Sequence, residues 1–266
     1  MLSFNGQPSL YEYVKKVINI KVKKGKANFY GSIFRSMIRY LITHEIINPA
    51  NYMKSFAIVK YDDWIFFVDK NTSFGYYLLL NLLEPYTYSE IMENKGDLFI
   101  DVGANAGGYT IRAAKKYKKV ISIEPNPVYI QIIRNNITLN SLHNIIILGV
   151  ALSNFIGTSK FYTSNLGQLS SLTNFEGSKD VIEVKVTTLE EVIDNLGQIP
   201  DLIKIDAEGE EVNVIEGLGK YTAKITKLIV EISSKEKLGV IRNILGESFR
   251  EQRAGNENFI FIRRLN

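Results

Sequence analysis

The chain of 266 residues has no cysteine, which excludes a disulfide framework, a thiolate zinc site and a cysteine nucleophile together. Histidine is nearly absent as well: His44 and His143 lie far apart in sequence and leave too little for a histidine-rich metal site. Both histidines are read as structural. No apolar run reaches the roughly 18 residues that a membrane-spanning helix needs. The first residues also lack the charged, apolar, then small pattern of a secretory signal, so the expected location is the cytoplasm. Acidic residues are scarce at the start, where residues 1–60 carry ten Lys or Arg against Glu12 and Glu45. This leaves the first 60 residues at about +8 and the remainder at about −4. A hydrophobic content of 45% is enough to build a sizeable core, so disorder is not the main state.

Within the basic part, Leu10, Tyr13, Val14, Val17 and Ile18 recur at helical spacing. Phe34, Met37, Ile38, Leu41 and Ile42 repeat the pattern after a Lys-rich turn at 21–26. Two amphipathic helices are predicted, followed by a hairpin of 56–61 and 64–68 around Asp62-Asp63. From about residue 97, short apolar runs alternate with helical stretches, as in βαβ units. Strands are predicted at 98–102, 120–123, 145–150, 202–205 and 228–232, with a last strand at 259–264. The fold class is therefore α/β, a doubly wound and mostly parallel sheet. Asn126 is placed to cap a helix opening on Pro127, and Thr188/Glu191 and Ser233/Glu236 have capping-box spacing. Between 153 and 186 two β-like runs, 159–163 and 181–186, suggest a hairpin or flap.

Three runs carry chemistry. In Asp101-Val102-Gly103-Ala104-Asn105-Ala106-Gly107-Gly108-Tyr109 a strand enters a glycine-rich turn, where Gly103 and Gly107 let backbone approach a ligand and the next helix begins with free N–H groups. A dinucleotide fingerprint wants glycine at 103, 105 and 108, but position 105 is Asn. Asp101 before the turn would repel a pyrophosphate and suit a cation such as an amino group. Glu124, 21 residues after Gly103, ends the next strand where an acid grips ribose hydroxyls, with a helix cap as the plainer reading. In Leu202-Ile203-Lys204-Ile205-Asp206-Ala207-Glu208, alternation sets Leu202, Lys204 and Asp206 on one face. A lysine inside a central strand needs a carboxylate, for which Asp206 and Glu231 are candidates. A buried ion pair and a catalytic role are equally open for it.

The blocks DVGANAGGYT (101–110), EPNP (124–127), GVALSN (149–154), VTTLEEVI (186–193), KIDAEGEEVNVIEG (204–217) and IVEIS (229–233), in this order, resemble the FkbM methyltransferases over roughly residues 75–235. The resemblance implies a Rossmann-like, class I methyltransferase fold with seven strands, the last antiparallel, at 76–266 behind an extension at 1–75. It implies S-adenosylmethionine as donor and, usually, a hydroxyl oxygen as acceptor, on a sugar, a glycolipid or another small molecule. Carried over by position, Asp101, Gly103 and Asn105 would surround the methionine part, with Gly107 and Tyr109 in the same turn. Glu124 would hold the ribose, and Pro125 and Asn126 would border the adenine. Many class I enzymes offer the adenine amine an acid after the third strand. Here Val150 and Ala151 follow Gly149, so that contact falls to backbone or to another part of the chain.

Methyl transfer to oxygen is an in-line displacement that needs alignment and a base. Asp206 is the expected acid on the acceptor side, with Lys204 or Glu208 adjusting its charge. A divalent metal would find two oxygen ligands in Asp206 and Glu208 but no clear third, so none is expected. The rival readings are a nucleotide-dependent dehydrogenase or sugar-modifying enzyme, against which Asp101 and Asn105 speak, and a nucleic-acid methyltransferase using the basic start, for which the Asp-Pro-Pro-Tyr or Asn-Pro-Pro-Tyr motif is absent. The lysines at 15, 16 and 21–26 read first as a solvated face and second as a weak peripheral contact with an anionic membrane.

Overall fold

The computed structural model describes residues 15, 19–43, 49–72, 80, 84–163, 170–172, 180–255 and 257–264. The helix expected over 10–18, His44 and the aromatic Phe175 lie outside them, apart from Lys15. The stretch expected as a Lys-rich turn is instead a strand, β1 (Lys21–Lys24), leading into helix α1 (Lys26–Thr43). Only Val22 of β1 is buried, so its alternating lysines stay in water while the backbone pairs. The hairpin forms as expected, from β2 (Ala57–Tyr61) and β3 (Trp64–Val68), and β1 pairs antiparallel with β2 to give a three-stranded sheet. Ala57, Val59, Tyr61, Trp64, Phe66 and Val68 point to one buried face, as the period of two requires.

After helix α2 (Pro85–Glu93) come β4 (Gly96–Val102), α3 (Gly108–Ala113), β5 (Tyr117–Ile123), α4 (Pro127–Leu139) and β6 (Ile145–Leu148). β6 stops two residues short of the expected 145–150; at Gly149 the chain leaves the sheet. A short strand β7 (Ala151–Leu152) then joins a second sheet with β8 (Gly157–Thr163), β9 (Ser170–Ser171) and β10 (Asp180–Thr187), in the order β7-β10-β8-β9. The expected flap is thus an antiparallel β8–β10 ribbon. Helix α5 (Leu189–Leu196), β11 (Leu202–Ile205), α6 (Glu211–Glu216), β12 (Lys227–Glu231), α7 (Lys235–Leu245), β13 (Phe249–Arg253) and β14 (Asn258–Arg263) complete the chain.

The main sheet has seven strands in the order β6-β5-β4-β11-β12-β14-β13. β14 runs antiparallel to both its neighbours, and the rest is parallel. It is a doubly wound, mostly parallel sheet with one antiparallel strand, as expected from the sequence. The residues at 100, 102, 121, 123, 203, 205, 228 and 230 pack on α5, α6 and α7. Their alternates Phe99, Val120, Leu202, Ile229 and Ile260 pack on α2 and α3. Both faces are dry, which is why these strands read as unbroken apolar runs. Two helix starts match expectation: Asn126 accepts from the Val128 N–H, and Thr188 from the Glu191 N–H. The third is corrected by one residue. Ser234, not Ser233, caps α7, accepting from Lys237.

The extension docks on this domain through α4. Asn136 Oδ1 accepts the Phe67 N–H at 2.7 Å, and Asn140 takes both backbone groups of Ile65, at 2.8 and 2.6 Å. The two asparagines stand where a fourth strand would, one helical turn apart, and satisfy the edge of β3. Asn136 is fully buried and also donates to the Ala106 carbonyl. Asn136→Ala should orphan the Phe67 N–H and cost about 1–3 kcal/mol, read as a lower denaturation midpoint with faster amide exchange at Phe67; unchanged exchange there would reject the pin.

Candidate active site

The parallel strands end in a cleft, as open α/β sheets require at their topological switch. At the end of β4 the chain turns left-handed at Gly103 (φ 72°) and again at Asn105 (φ 51°). Gly103 is held by its N–H to the Ile123 carbonyl, and a Cβ there would lie 1.8 Å from the Asp206 carbonyl oxygen. The ends of β4 and β11 can meet only over a glycine. The following turn delivers the Asn105 N–H to Glu124 Oε2 at 2.8 Å, while the Asn126 N–H reaches Oε1, also at 2.8 Å. The Glu124 carboxylate therefore joins the glycine turn to the loop after β5. Burial pushes its pKa up to about 7 against these two donors, and the charges of Asp101 and Asp206 add to the rise.

Two adjoining cavities flank this turn. The larger, with about 600 Å³ of empty volume, is lined by Glu124, Pro125, Tyr129, Val150, Ala151, Phe161, Leu172 and Glu208, among others. The smaller, about 390 Å³, is lined by Asp101, Tyr109, Lys204, the glycine turn and Leu80. Gly103, Asn105 and Asp206 border both, so one cleft runs past the ends of β5, β4 and β11. Gly107 and Asn126 line neither: Gly107 starts α3 with φ 83°, packed against Ile133, and Asn126 caps α4. Of the flap aromatics, Phe161 is buried at the cleft wall, whereas Phe155 is exposed. Exposed His143 sits in the turn before β6.

The polar floor is a charge cluster. Asp101 is buried; Oδ2 accepts from the Thr110 hydroxyl at 2.6 Å, and Oδ1 has no hydrogen-bond partner among the described residues. Burial raises its pKa, with Lys204 and the Thr110 bond opposing. Lys204, in register beside Asp101, donates to Asp206 Oδ2 at 3.0 Å and lies 5.2 Å from the Tyr109 ring centre. Burial would lower its pKa, yet Asp206, Asp101, Glu84 and Glu231 together hold it above the ordinary lysine value. It is a fixed cation rather than a base. Glu231, at the end of β12, is pushed up to about 9, chiefly by the charge of Asp206 and then by burial. The charge of Asp206 beside it thus favours the neutral form of Glu231.

Sequence reasoning did not find Glu84, whose buried carboxylate accepts from the Tyr109 hydroxyl at 2.9 Å, nor Tyr129 at the cleft wall. It also missed the braces of the 206–209 loop. Glu208 and Gly209 both have positive φ, 47° and 112°. Ser171 of β9 donates to the Glu208 carbonyl at 2.8 Å, while Lys237 of α7 donates to the Gly209 carbonyl and to Glu211, each at 2.9 Å. Glu208 itself lies at the open mouth, and partial desolvation of its carboxyl, followed by the charges of Asp206 and Glu211, raises its pKa. Among the described residues no group of three His, Asp or Glu side chains is arranged to hold a metal ion.

Comparison with known proteins places the same residues in one family. The family model described as the methyltransferase FkbM domain matches residues 101–257, a stretch that contains the glycine turn, Glu124 and the β11 loop. The chain is 24% identical to the methyltransferase sdnD of Sordaria araneosa over 200 residues, covering 59% of this chain and 77% of that protein. A crystal structure of the methyltransferase FkbM from Methylobacillus flagellatus is 18% identical, with a TM-score of 0.45, over 72% of this chain; the chain spans only 54% of that protein. A Streptococcus mutans protein crystallised in complex with SAH is 8% identical, with a TM-score of 0.45, over 68% of this chain and 98% of that one.

Proposed function

The chain belongs to the FkbM methyltransferase family, and from that premise we propose that it transfers the methyl group of S-adenosylmethionine to a hydroxyl oxygen of a small molecule, sugar or lipid. The observation that carries the donor assignment is Asp101 Oδ1, a buried carboxylate oxygen with no hydrogen-bond partner among the described residues, at the wall of the smaller cavity. Leaving such an atom unsatisfied is costly, and a ligand ammonium would satisfy it. The rest of the cleft fits the same donor. Glu124 keeps lone pairs free beyond its two backbone donors and suits a ribose diol. Pro125, Val150 and Ala151 supply apolar and backbone surface for a base.

Bound S-adenosylmethionine would supply a methyl group activated on a sulfonium sulfur. The chain's own residues do the remaining work. Asp206 borders both cavities and takes the acceptor's hydroxyl proton, while Lys204 holds its Oδ2 and fixes the carboxylate's orientation. Glu231, protonated, keeps a second negative charge away from Asp206. Phe161 and Leu172 of the flap exclude water from the side of the larger cavity.

Asp101→Asn tests the donor assignment. It preserves shape but removes the charge that faces the amino group, and should weaken S-adenosylhomocysteine roughly 10- to 100-fold, the worth of one charge-assisted hydrogen bond. Adenosine, which has no amino-acid part, should bind the variant and the native protein alike in calorimetry. Equal affinity of both proteins for S-adenosylhomocysteine would reject the role of Asp101.

The Glu124 shift gives a pH signature. Its ionised form accepts the diol, so nucleoside affinity should climb, up to about tenfold, as pH rises from 6 to 8 through its folded pKa of about 7. Stability of the ligand-free protein should run the other way. A carboxyl whose folded pKa is raised contributes its full share below the unfolded value, and that share is lost as pH rises through about 7. Affinity that is flat over this window would remove Glu124 from the diol contact.

A further inference from the structure

We propose that the outer face of α1 is a docking surface for an anionic lipid membrane. This inference is independent of the methyl-transfer reading. The helix is apolar on two sides. One side seats Phe29, Ser32 and Ile33 against the three-stranded sheet. The other carries Tyr30, Phe34, Met37, Ile38, Leu41 and Ile42, at positions i, i+4, i+7, i+8, i+11 and i+12, all exposed; Phe34, Leu41 and Ile42 are 64%, 72% and 73% accessible. This spacing makes a single stripe along most of an 18-residue helix. Isolated exposed apolar residues are ordinary, but a contiguous stripe of six large ones marks an interaction surface.

Charge selects the partner. Residues 13–44 hold eight Lys or Arg and no acid. Lys15, Lys21, Lys23, Lys24, Lys26, Arg35 and Arg39 are exposed. Arg35 and Arg39 each follow a stripe residue, Phe34 and Ile38, so they rim the stripe where a long side chain can reach headgroups while its stem lies on the apolar face. An apolar stripe bounded by cations is the pattern of a helix lying in a membrane interface. A second copy of this face would bring like charges together, and nucleic acid would leave four aliphatic side chains against phosphate. Among the described residues no helix is long and apolar enough to cross a membrane, so α1 would lie in the interface plane. Its inner face shares a core with Ala106 and Tyr129 of the cleft walls, so docking would hold the cleft beside the lipid surface.

Flotation of the full chain with vesicles of phosphatidylcholine, with and without phosphatidylglycerol, tests this directly. The expected result is binding to the phosphatidylglycerol vesicles at low salt and its loss at high salt. Arg35→Gln with Arg39→Gln should weaken it about fivefold per charge, and Leu41→Ser with Ile42→Ser roughly tenfold or more. Thermal unfolding should be little changed by Leu41→Ser with Ile42→Ser, since both side chains are exposed. Absence of flotation at low salt overturns the proposal, as does equal binding to uncharged vesicles. Binding indifferent to the Leu41/Ile42 change would mean that the lysines act alone. A concentration-dependent dimer abolished by that change, without flotation, would assign the stripe to a second copy. Duplex DNA binding with the same sensitivity and no flotation would assign it to nucleic acid. Each of these three also overturns it.

Discussion

Asp206→Asn should lower turnover by about 10²–10⁴-fold, the usual worth of a positioned proton acceptor, while S-adenosylhomocysteine still binds. Asp206 ends β11 between the two cavities, with its side chain 19% exposed, whereas Lys204 below it is 3% exposed. The amide keeps the shape and loses the ability to take a proton. It also removes the nearest counter-charge of a buried ammonium, which for an isolated pair would cost about 3–5 kcal/mol. The cost here should be smaller, because Asp101, Glu84 and Glu231 also face Lys204. Glu231 is held protonated mainly by the charge of Asp206 and ionises more readily once that charge is gone. The variant should therefore fold, bind and fail to turn over. Near-native turnover in a folded Asp206→Asn protein would reject Asp206 as the acceptor-side base.

Gly103→Ala should damage fold and cleft together. Position 103 has φ 72°, and its added methyl would sit 1.8 Å from the Asp206 carbonyl oxygen, a backbone atom that moves only if β11 moves. The left-handed backbone costs an L-residue about 1–2 kcal/mol on its own, and parting the ends of β4 and β11 adds more. We expect more than about 3 kcal/mol of destabilisation and the loss of S-adenosylhomocysteine binding, since Gly103 borders both cavities. Gly197→Ala is the matched control: φ is 63° there, but nothing lies within 4 Å of the added carbon, so only the backbone cost should appear. Equal losses in the two variants would show that the close approach at Gly103 contributes nothing.

The two glycines also show what the amino-acid pattern could and could not reveal. The strand at 202–205 was legible to the residue, because both its faces are dry and its ends are marked by acids. The parallel α/β class followed from the alternation of such runs with capped helices, whereas the strand order did not. β1 and β13 were not legible: Lys21–Lys24 buries one residue of four and Phe249–Arg253 only Phe249, so neither has an apolar period. β6 ended early because the chain leaves it after Leu148 and pairs, two residues on, with β10 as β7, and the α7 cap fell on Ser234 because two adjacent serines offered the same chemistry. The apolar spacing of 34–42 announced a helix but not which way it faced, and the stripe points to solvent.

The site divides in the same way. Asp101, Glu124 and Asp206 were legible because each ends a strand, and strand ends converge in an open parallel sheet. Lys204 was recognised as needing an acid, and two candidates, Asp206 and Glu231, were named; both face it. Glu84, Tyr129, Ser171 and Lys237 lie outside the six sequence blocks that carry the resemblance, and only packing brings them to the site. Glu84 meets Tyr109 across 25 residues, and Lys237 meets Glu211 across 26. Spacing carries no sign of such pairings, since local sequence does not encode which helices will be neighbours.

On the proposed reading this cleft holds a sulfonium donor with its amino group on Asp101 and its ribose on Glu124. Isothermal titration of the native chain with S-adenosylhomocysteine addresses it most directly. A saturable, one-to-one heat at micromolar ligand, roughly −8 kcal/mol of binding free energy, is the predicted result. No heat up to millimolar ligand, from protein shown to be folded, would contradict it.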